Sequence, residues 1–393
     1  MLGRDVDSSP IQYRTWVVND TPDFTGALYT GDKSGPSPLV DVTAYEILDP
    51  SVVANFNLPN AEDWSTTRRV LPCYTCDSQT AVIDGYVYLF GGQNSSKILR
   101  APVNNPGVWA DTGAKLPIPL AGSQLAIVNN SVYLFGGTTD ATFGTPTNAV
   151  LSAPTSNPLN WTNDGYILPK NLHHSQLGII DGYMYLFGGY DGYGPSKAIL
   201  SAPTSSPLSW SDTGQTLPDP LYGSQLAIVD GYAILFGGLT TNNTTTKNIY
   251  SAPINTPTTW SFTSFLPFPC FYGQFATVGN QGFLFTPTDG YVSPTRILRC
   301  QLSNPFSWID TKTSIPGEVS QSQLAIIYDR LFLFGGNGST IVFANNSLLK
   351  YKLDDVIAVS YGSVTRTQVN ATPNKLDLFV VLGFPPWKTD YGA

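Results

Sequence analysis

Hydrophobic and polar positions alternate along Gln225–Val229. Leu226 and Ile228 point one way, and Gln225, Ala227 and Val229 the other. A period of two predicts a β-strand. Asp230-Gly231 follows, the pair that a tight hairpin with positive φ angles prefers, and Tyr232–Phe236 is the returning strand. Near copies of this stretch start at Gln79, Gln124, Gln176, Gln225, Gln274 and Gln323, at spacings of 45, 52, 49, 49 and 49 residues. The turn recurs as Asp84-Gly85 and Asp181-Gly182. The second strand closes on Leu-Phe-Gly-Gly at 89–92, 134–137, 186–189, 235–238 and 333–336, whereas the fifth copy has Leu284-Phe285-Thr286-Pro287.

A variable loop comes next, then a third strand such as Ile98–Pro102, Val150–Pro154, Ile199–Pro203 or Ile249–Pro253. A proline-containing turn leads to a tryptophan: Trp64, Trp109, Trp161, Trp210, Trp260 or Trp308. The fourth strand ends at Pro72, Pro117, Pro169, Pro218, Pro267 or Pro316, always seven residues before the next glutamine. Four antiparallel strands per unit of about fifty residues predict an all-β fold of propeller blades. The chain resembles the kelch-type β-propellers, in which a double glycine ends the second strand and a tryptophan opens the fourth. The resemblance covers residues 60–353. It implies blades stacked radially around a channel, with the tryptophan and the Leu-Phe pair between neighbours.

Six repeats are clear, and the ends allow two ring sizes. Residues 13–77 read as a divergent first blade, with strands at Thr15–Val18, Ala27–Gly31 and Val52–Phe56, or as an accessory β segment. At the other end Leu348–Leu353 reads as a third strand and Val356–Ser360 as a fourth, which gives seven blades, the count favoured here. Alternatively the Trp64 strand completes the last blade and closes a ring of six. The remaining divisions are an N-terminal extension at 1–12, the repeats at 78–367, and an attachment tail at 368–393 that holds the strand Leu376–Leu382.

Composition narrows the function. Charged residues make up 12% of the chain, against roughly a quarter in typical soluble domains. A net charge of −8 argues against nucleic acid, which needs clustered Lys and Arg. No apolar run reaches the ~18 residues of a membrane-spanning helix. Cys73-Tyr74-Thr75-Cys76 is a lone CxxC between strands, lacking a second zinc knuckle, and reads as loop cysteines, free or locally bridged.

In such blades the loops after the second strand share a face with the blade-to-blade connections, and the Asp-Gly hairpins occupy the other. The first face is the variable one. It carries Tyr74, Asp140, Phe143, His173, His174, Tyr190, Asp191, Tyr193, Tyr222, Tyr272, Asp289 and Tyr291. Aromatic rings beside short polar partners suit sugar or protein recognition. His173 and His174 are the only histidines. In an extended segment they point apart, so they are expected on the surface and not as a metal pair. The resemblance also admits the copper propeller enzyme galactose oxidase, which needs two separated histidines with two tyrosines, an arrangement absent here. The six glutamines are expected to tie neighbouring blades, and Asp111-Thr112-Gly113 and Asp212-Thr213-Gly214 to form bulges in the fourth strand.

No metal or cofactor is implied. A glycosidase needs two facing carboxylates, for which Asp140, Asp191 and Asp289 are the available residues, but turns explain them as well. Met1–Asp5 leads into a polar stretch without the apolar core of a secretory signal, while the Ser, Thr, Asn, Gly and Tyr content is that of an exterior surface. The combination fits a non-enzymatic virion component, of a bacteriophage capsid, tail or fibre, made in the cytoplasm. It would bind other structural proteins or a host glycan. A microbial surface lectin or adhesin is the alternative, ahead of a polysaccharide-acting enzyme or an intracellular scaffold.

Overall fold

The first five repeats form antiparallel sheets whose strands follow one another in chain order. The computed structural model describes residues 59–346 apart from 141–143, 242–243, 288–294, 318, 329 and 337, together with short strands near the two termini. The chain divides into two units. The larger spans Ala61–Ile327 and Leu331–Ala344. In the other, Leu2–Gly3 pairs with Leu378–Phe379, and Gly26–Tyr29 with Leu39–Val42. The strands expected at Thr15–Val18, Val52–Phe56 and Val356–Ser360 lie outside the described residues.

Blade 1 contains Gln79–Ile83, Tyr86–Phe90, Lys97–Pro102 and Ala110–Lys115. Blade 2 contains Gln124–Val128, Ser131–Phe135 and Val150–Pro154, with the segment carrying Thr162 and Ile167 attached by single bridges as its outer edge. Blade 3 runs from Gln176–Ile180 to Ser211–Thr216, blade 4 from Gln225–Val229 to Ser261–Phe265, and blade 5 from Gln274–Val278 to Asn304–Ile315. Blade 6 takes three strands from the end of the repeat array, Gln323–Ile327, Arg330–Phe334 and Thr340–Asn346. Its fourth is Pro59–Val70 from the other end of the chain.

That sheet decides the ring size. The Trp64 strand completes the last blade, and the inner strands of blades 6 and 1 are in contact, so the ring closes with six blades and not seven. The third strand of blade 6 is Thr340–Asn346, and Leu348–Leu353, expected in that place, lies outside the described residues. The Gly335 amide donates to the Thr340 carbonyl at 3.0 Å, so the chain returns at once through Ile341–Ala344.

The packing between blades repeats. Each tryptophan meets, edge-on, the phenylalanine of the preceding blade's second strand. Trp161 lies 5.0 Å from Phe90, Trp260 4.9 Å from Phe187, and Trp64, from the N-terminal strand of blade 6, 5.0 Å from Phe285 of blade 5. Five of the six indoles donate to the carbonyl three residues earlier, as Trp260 does to Pro257 at 2.9 Å. The buried Trp210 Nε1 has no such partner.

The double glycine is required by close approach. Gly188 has φ of 63°, and a Cβ there would lie 2.4 Å from the Leu221 carbonyl oxygen. The neighbouring Gly189 amide donates to that same oxygen at 2.7 Å. In the fifth copy, where Thr286-Pro287 replaces the glycines, the strand continues instead as Gln281–Pro287 and pairs with Thr295–Gln301. Gly188→Ala is expected to cost about 2–3 kcal/mol in urea unfolding, from strained φ plus the carbonyl clash. Gly182→Ala, in an open Asp-Gly turn with nothing within 4 Å of the added carbon, is expected to cost nearer 1 kcal/mol.

Candidate recognition face and channel mouth

The segment joining one blade to the next drops from the outer edge to the channel. Two residues before each inner-strand glutamine it adopts the left-handed conformation. Asp77, Gly122, His174, Gly223, Tyr272 and Gln321 have φ of 56°, 59°, 50°, 61°, 55° and 60°. These residues form a collar of backbone hydrogen bonds. Gly122 donates to the Asp77 carbonyl, His174 to Gly122, Gly223 to His174, and Tyr272 to Gly223, at 2.7–3.0 Å. Asp77 donates to Gln321 at 3.3 Å, across the seam between blades 6 and 1.

Side-chain size alternates around part of this collar. A Cβ on Gly122 would lie 2.5 Å from the His174 ring, and one on Gly223 2.8 Å from the Tyr272 ring. The two glycines leave the space that their larger neighbours occupy. His174 reaches over Gly122 towards Asp77, with Nε2 3.1 Å from Oδ1. Gln321 Nε2 donates to Asp77 Oδ2 at 2.8 Å. Tyr272, Gln321, Asp77 and His174 thus place aromatic, amide, carboxylate and imidazole groups around one opening.

The two histidines are buried, at 2% and 6% exposure, and not on the surface as the sequence predicts. The positive φ of His174 turns its ring back onto its neighbour, so the two Nδ1 atoms lie 2.6 Å apart. His173 stacks on Tyr190 at 5.0 Å and meets the edge of Tyr222. His174 leans on Tyr272 at 4.9 Å, and Tyr222 bridges Tyr190 and Tyr272. Five of the predicted residues therefore converge in one aromatic cluster spanning blades 3 to 5. Among the described residues no group of three or more His, Cys, Asp or Glu could hold a metal ion.

Other predicted residues stand apart. Tyr193 is 98% exposed at the tip of its loop, and Tyr74 is also exposed. Asp191 accepts the Tyr193 and Gly194 amides at 2.9 and 3.1 Å, and Asp140 accepts the Gly144 amide at 3.2 Å. Both carboxylates thereby shape their own loops. Phe143, Asp289 and Tyr291 lie outside the described residues. Asp77 and Gln321 were missed by sequence reasoning. Gly122 and Gly223 at the equivalent position were the available signal, because a recurring glycine marks a left-handed site.

The remaining expected features have structural roles. Gln124 Oε1 accepts the Leu177 amide, and Gln176 Oε1 the Leu226 amide, each at 3.1 Å and each from the next blade. Asp111 accepts the Gly113 amide at 3.0 Å beside a register shift, as Asp212 does with Gly214, which makes both Asp-Thr-Gly segments bulges. These amides, with Lys97 and Lys170 respectively, hold both carboxyls below the usual range. All four cysteines are free thiols. Burial pushes Cys300 up to about 11 and raises Cys73 and Cys76 as well, so none of these three is a poised nucleophile.

Comparison with known proteins follows this geometry. A family model described as the KLHDC2/KLHL20/DRC7 Kelch-repeats domain matches residues 122–336, more than half of the chain. The chain belongs to the kelch-repeat family. The match begins at the collar residue Gly122 and ends at the double glycine of blade 6. Kelch-repeat propellers generally mediate protein–protein interaction and are generally non-catalytic. Among solved structures, the one titled "Structure of YjhT" aligns with a TM-score of 0.57 and 14% identity, covering 69% of this chain and 94% of that one. That likeness shows the fold. In all, 598 solved chains match, so the architecture alone selects no function. No curated protein matches.

Proposed function

We propose that this kelch-repeat protein is a non-enzymatic recognition module. It binds a protein partner or a host glycan through the face that carries the variable loops. The observation that carries this reading is the aromatic cluster His173, Tyr190, Tyr222, His174 and Tyr272, set on a hydrogen-bonded collar, with Tyr193 exposed on the loop that Tyr190 opens. Rigid rings on a rigid base cover apolar area at little entropic cost, which favours recognition. The use of Asp140 and Asp191 by their own loops supports a binding role over hydrolysis, which needs a carboxylate pair free to act. The low charged fraction and the Ser, Thr, Asn and Tyr content support a virion setting, as part of a bacteriophage capsid, tail or fibre.

A photo-crosslinking residue at position 193, introduced in the producing cells, tests this. Capture of a structural protein of the particle, with the chain recovered in purified particles, is the expected result. Absence from particles overturns the virion setting. Capture of nothing at 193, together with no signal on a glycan array, overturns recognition by this face.

A further inference from the structure

The cavity below the collar gathers hydrogen-bonding capacity that the contacts between blades leave over. It has a volume of about 150 Å³ and is lined by all six inner-strand glutamines: Gln79, Gln124, Gln176, Gln225, Gln274 and Gln323. Asp77, His174 and Tyr272 of the collar complete its wall, and no Lys or Arg takes part. We propose that this channel mouth is a binding site for one neutral, hydroxyl-rich ring, such as a single pyranose unit. The proposal rests on the recognition reading for its setting, and on the cavity for its chemistry.

Unspent hydrogen-bonding capacity selects the guest. A carboxamide offers two N–H donors and two acceptor lone pairs. Gln124 spends one donor on the Ser123 carbonyl and one lone pair on the Leu177 amide. Gln176 does the same with Ser175 and Leu226. Each keeps one donor and one acceptor. Gln225 donates to the Leu226 carbonyl, and Gln323 to the Ser322 carbonyl. All six glutamines are partly exposed, at the start of strands whose next residues are packed between blades. The collar therefore encloses a ring of amides with donors and acceptors side by side.

Such a ring favours a group that is donor and acceptor at once, which is what a hydroxyl is. A polar opening of this kind is filled by water in solution. A guest that displaces that water keeps affinity only if it reproduces both kinds of bond. An anion would face the Asp77 carboxylate with no lysine or arginine to offset it. A cation would leave the amide N–H groups unmatched. Tyr272, half-buried in the wall, adds an aromatic ring against which the C–H face of a sugar can rest.

Ligand-detected saturation-transfer NMR on the full chain tests this, with methyl glucopyranoside and myo-inositol as neutral probes and glucuronate as the charged counterpart. Neutral probes are expected to bind in the millimolar range, at concentrations up to about 20 mM, as a few neutral hydrogen bonds allow. Gln225→Met and Gln323→Met keep the side-chain length, and the amides they replace donate to the adjacent Leu226 and Ser322 carbonyls. Each is expected to weaken binding about three- to tenfold with the thermal midpoint little changed. No transfer to either neutral probe, or glucuronate binding as well as they do, overturns the proposal. So does binding that both methionine variants leave unaltered. If the neutral probes fail while the crosslink at 193 still captures a partner, the cavity inference fails and recognition by the face stands. If they bind and the crosslink captures nothing, the reverse holds.

Discussion

Trp260→Ala is expected to cost about 3–5 kcal/mol of stability, measured by urea unfolding at constant m-value. The indole is 8% exposed and packs with Ile180, Leu217, Leu226 and Leu235, which come from blades 3 and 4 and the connection between them. Removing it opens a cavity between two sheets that are each tied to further neighbours, so the site cannot collapse to fill it. The edge-on contact with Phe187 adds about 0.5–1.5 kcal/mol beyond buried area. A pair of phenylalanine variants separates the hydrogen bond from the packing. Trp260→Phe forfeits the bond to Pro257 and leaves that carbonyl without its donor. Trp210→Phe removes a buried N–H that has no partner. Trp210→Phe is therefore expected to cost about 1 kcal/mol less than Trp260→Phe. Equal costs would mean that the indole bond contributes nothing.

The tryptophan and the double glycine were legible because each recurs at a fixed place and each has a local physical reason. An indole fills the gap between blades, and a glycine lets a carbonyl approach at a distance no Cβ tolerates. Ring size was not legible in the same way. Whether Trp64 closes the last blade depends on a pairing between residues nearly three hundred positions apart, and no local pattern encodes it. The copies of the motif are the same in rings of six and seven.

The site was half legible. The variable loops and the Asp-Gly turns could be told apart in the sequence, and Tyr190, Tyr222 and Tyr272 were assigned to the same loop face as the histidines; the structure brings these five rings together. The relation of His173 to His174 was not readable, because it rests on one backbone angle. Extended residues alternate sides, and that rule fails where φ turns positive. The conformation of His174 is shared by Asp77, Gly122, Gly223, Tyr272 and Gln321, but their chemistry is so varied that the column does not stand out as a motif. The glycines at two of the six positions betray it. Where a backbone position repeats and its side chains do not, the scaffold is constant and the chemistry is free to vary, which is the condition for a recognition surface.

A chain beginning at residue 72 is expected not to accumulate as a folded monomer. It lacks Pro59–Val70, the outer strand of blade 6. With that strand go the Trp64 contact to Phe285 and the 2.6 Å ion pair between Glu62 and Arg299. The buried Leu71, whose amide donates to the Ser339 carbonyl, goes with it. Losing a buried tryptophan and a buried leucine costs about 5–10 kcal/mol, which is comparable to the whole stability of a typical domain. The deletion also bares the edge of Thr340–Asn346, a ready template for aggregation. Size-exclusion chromatography and circular dichroism would read the outcome. The decisive comparison is a permuted chain in which residues 59–71 follow residue 346 through a Gly/Ser linker, which is expected to restore a cooperative monomer. A ring of seven makes the opposite forecast. There residues 59–71 belong to a first blade that needs the rest of its own N-terminal strands, so moving them alone to the other end would rescue nothing. Rescue by thirteen transplanted residues would show that the two ends of the chain share one sheet, and that the tryptophan repeated around the ring is also what shuts it.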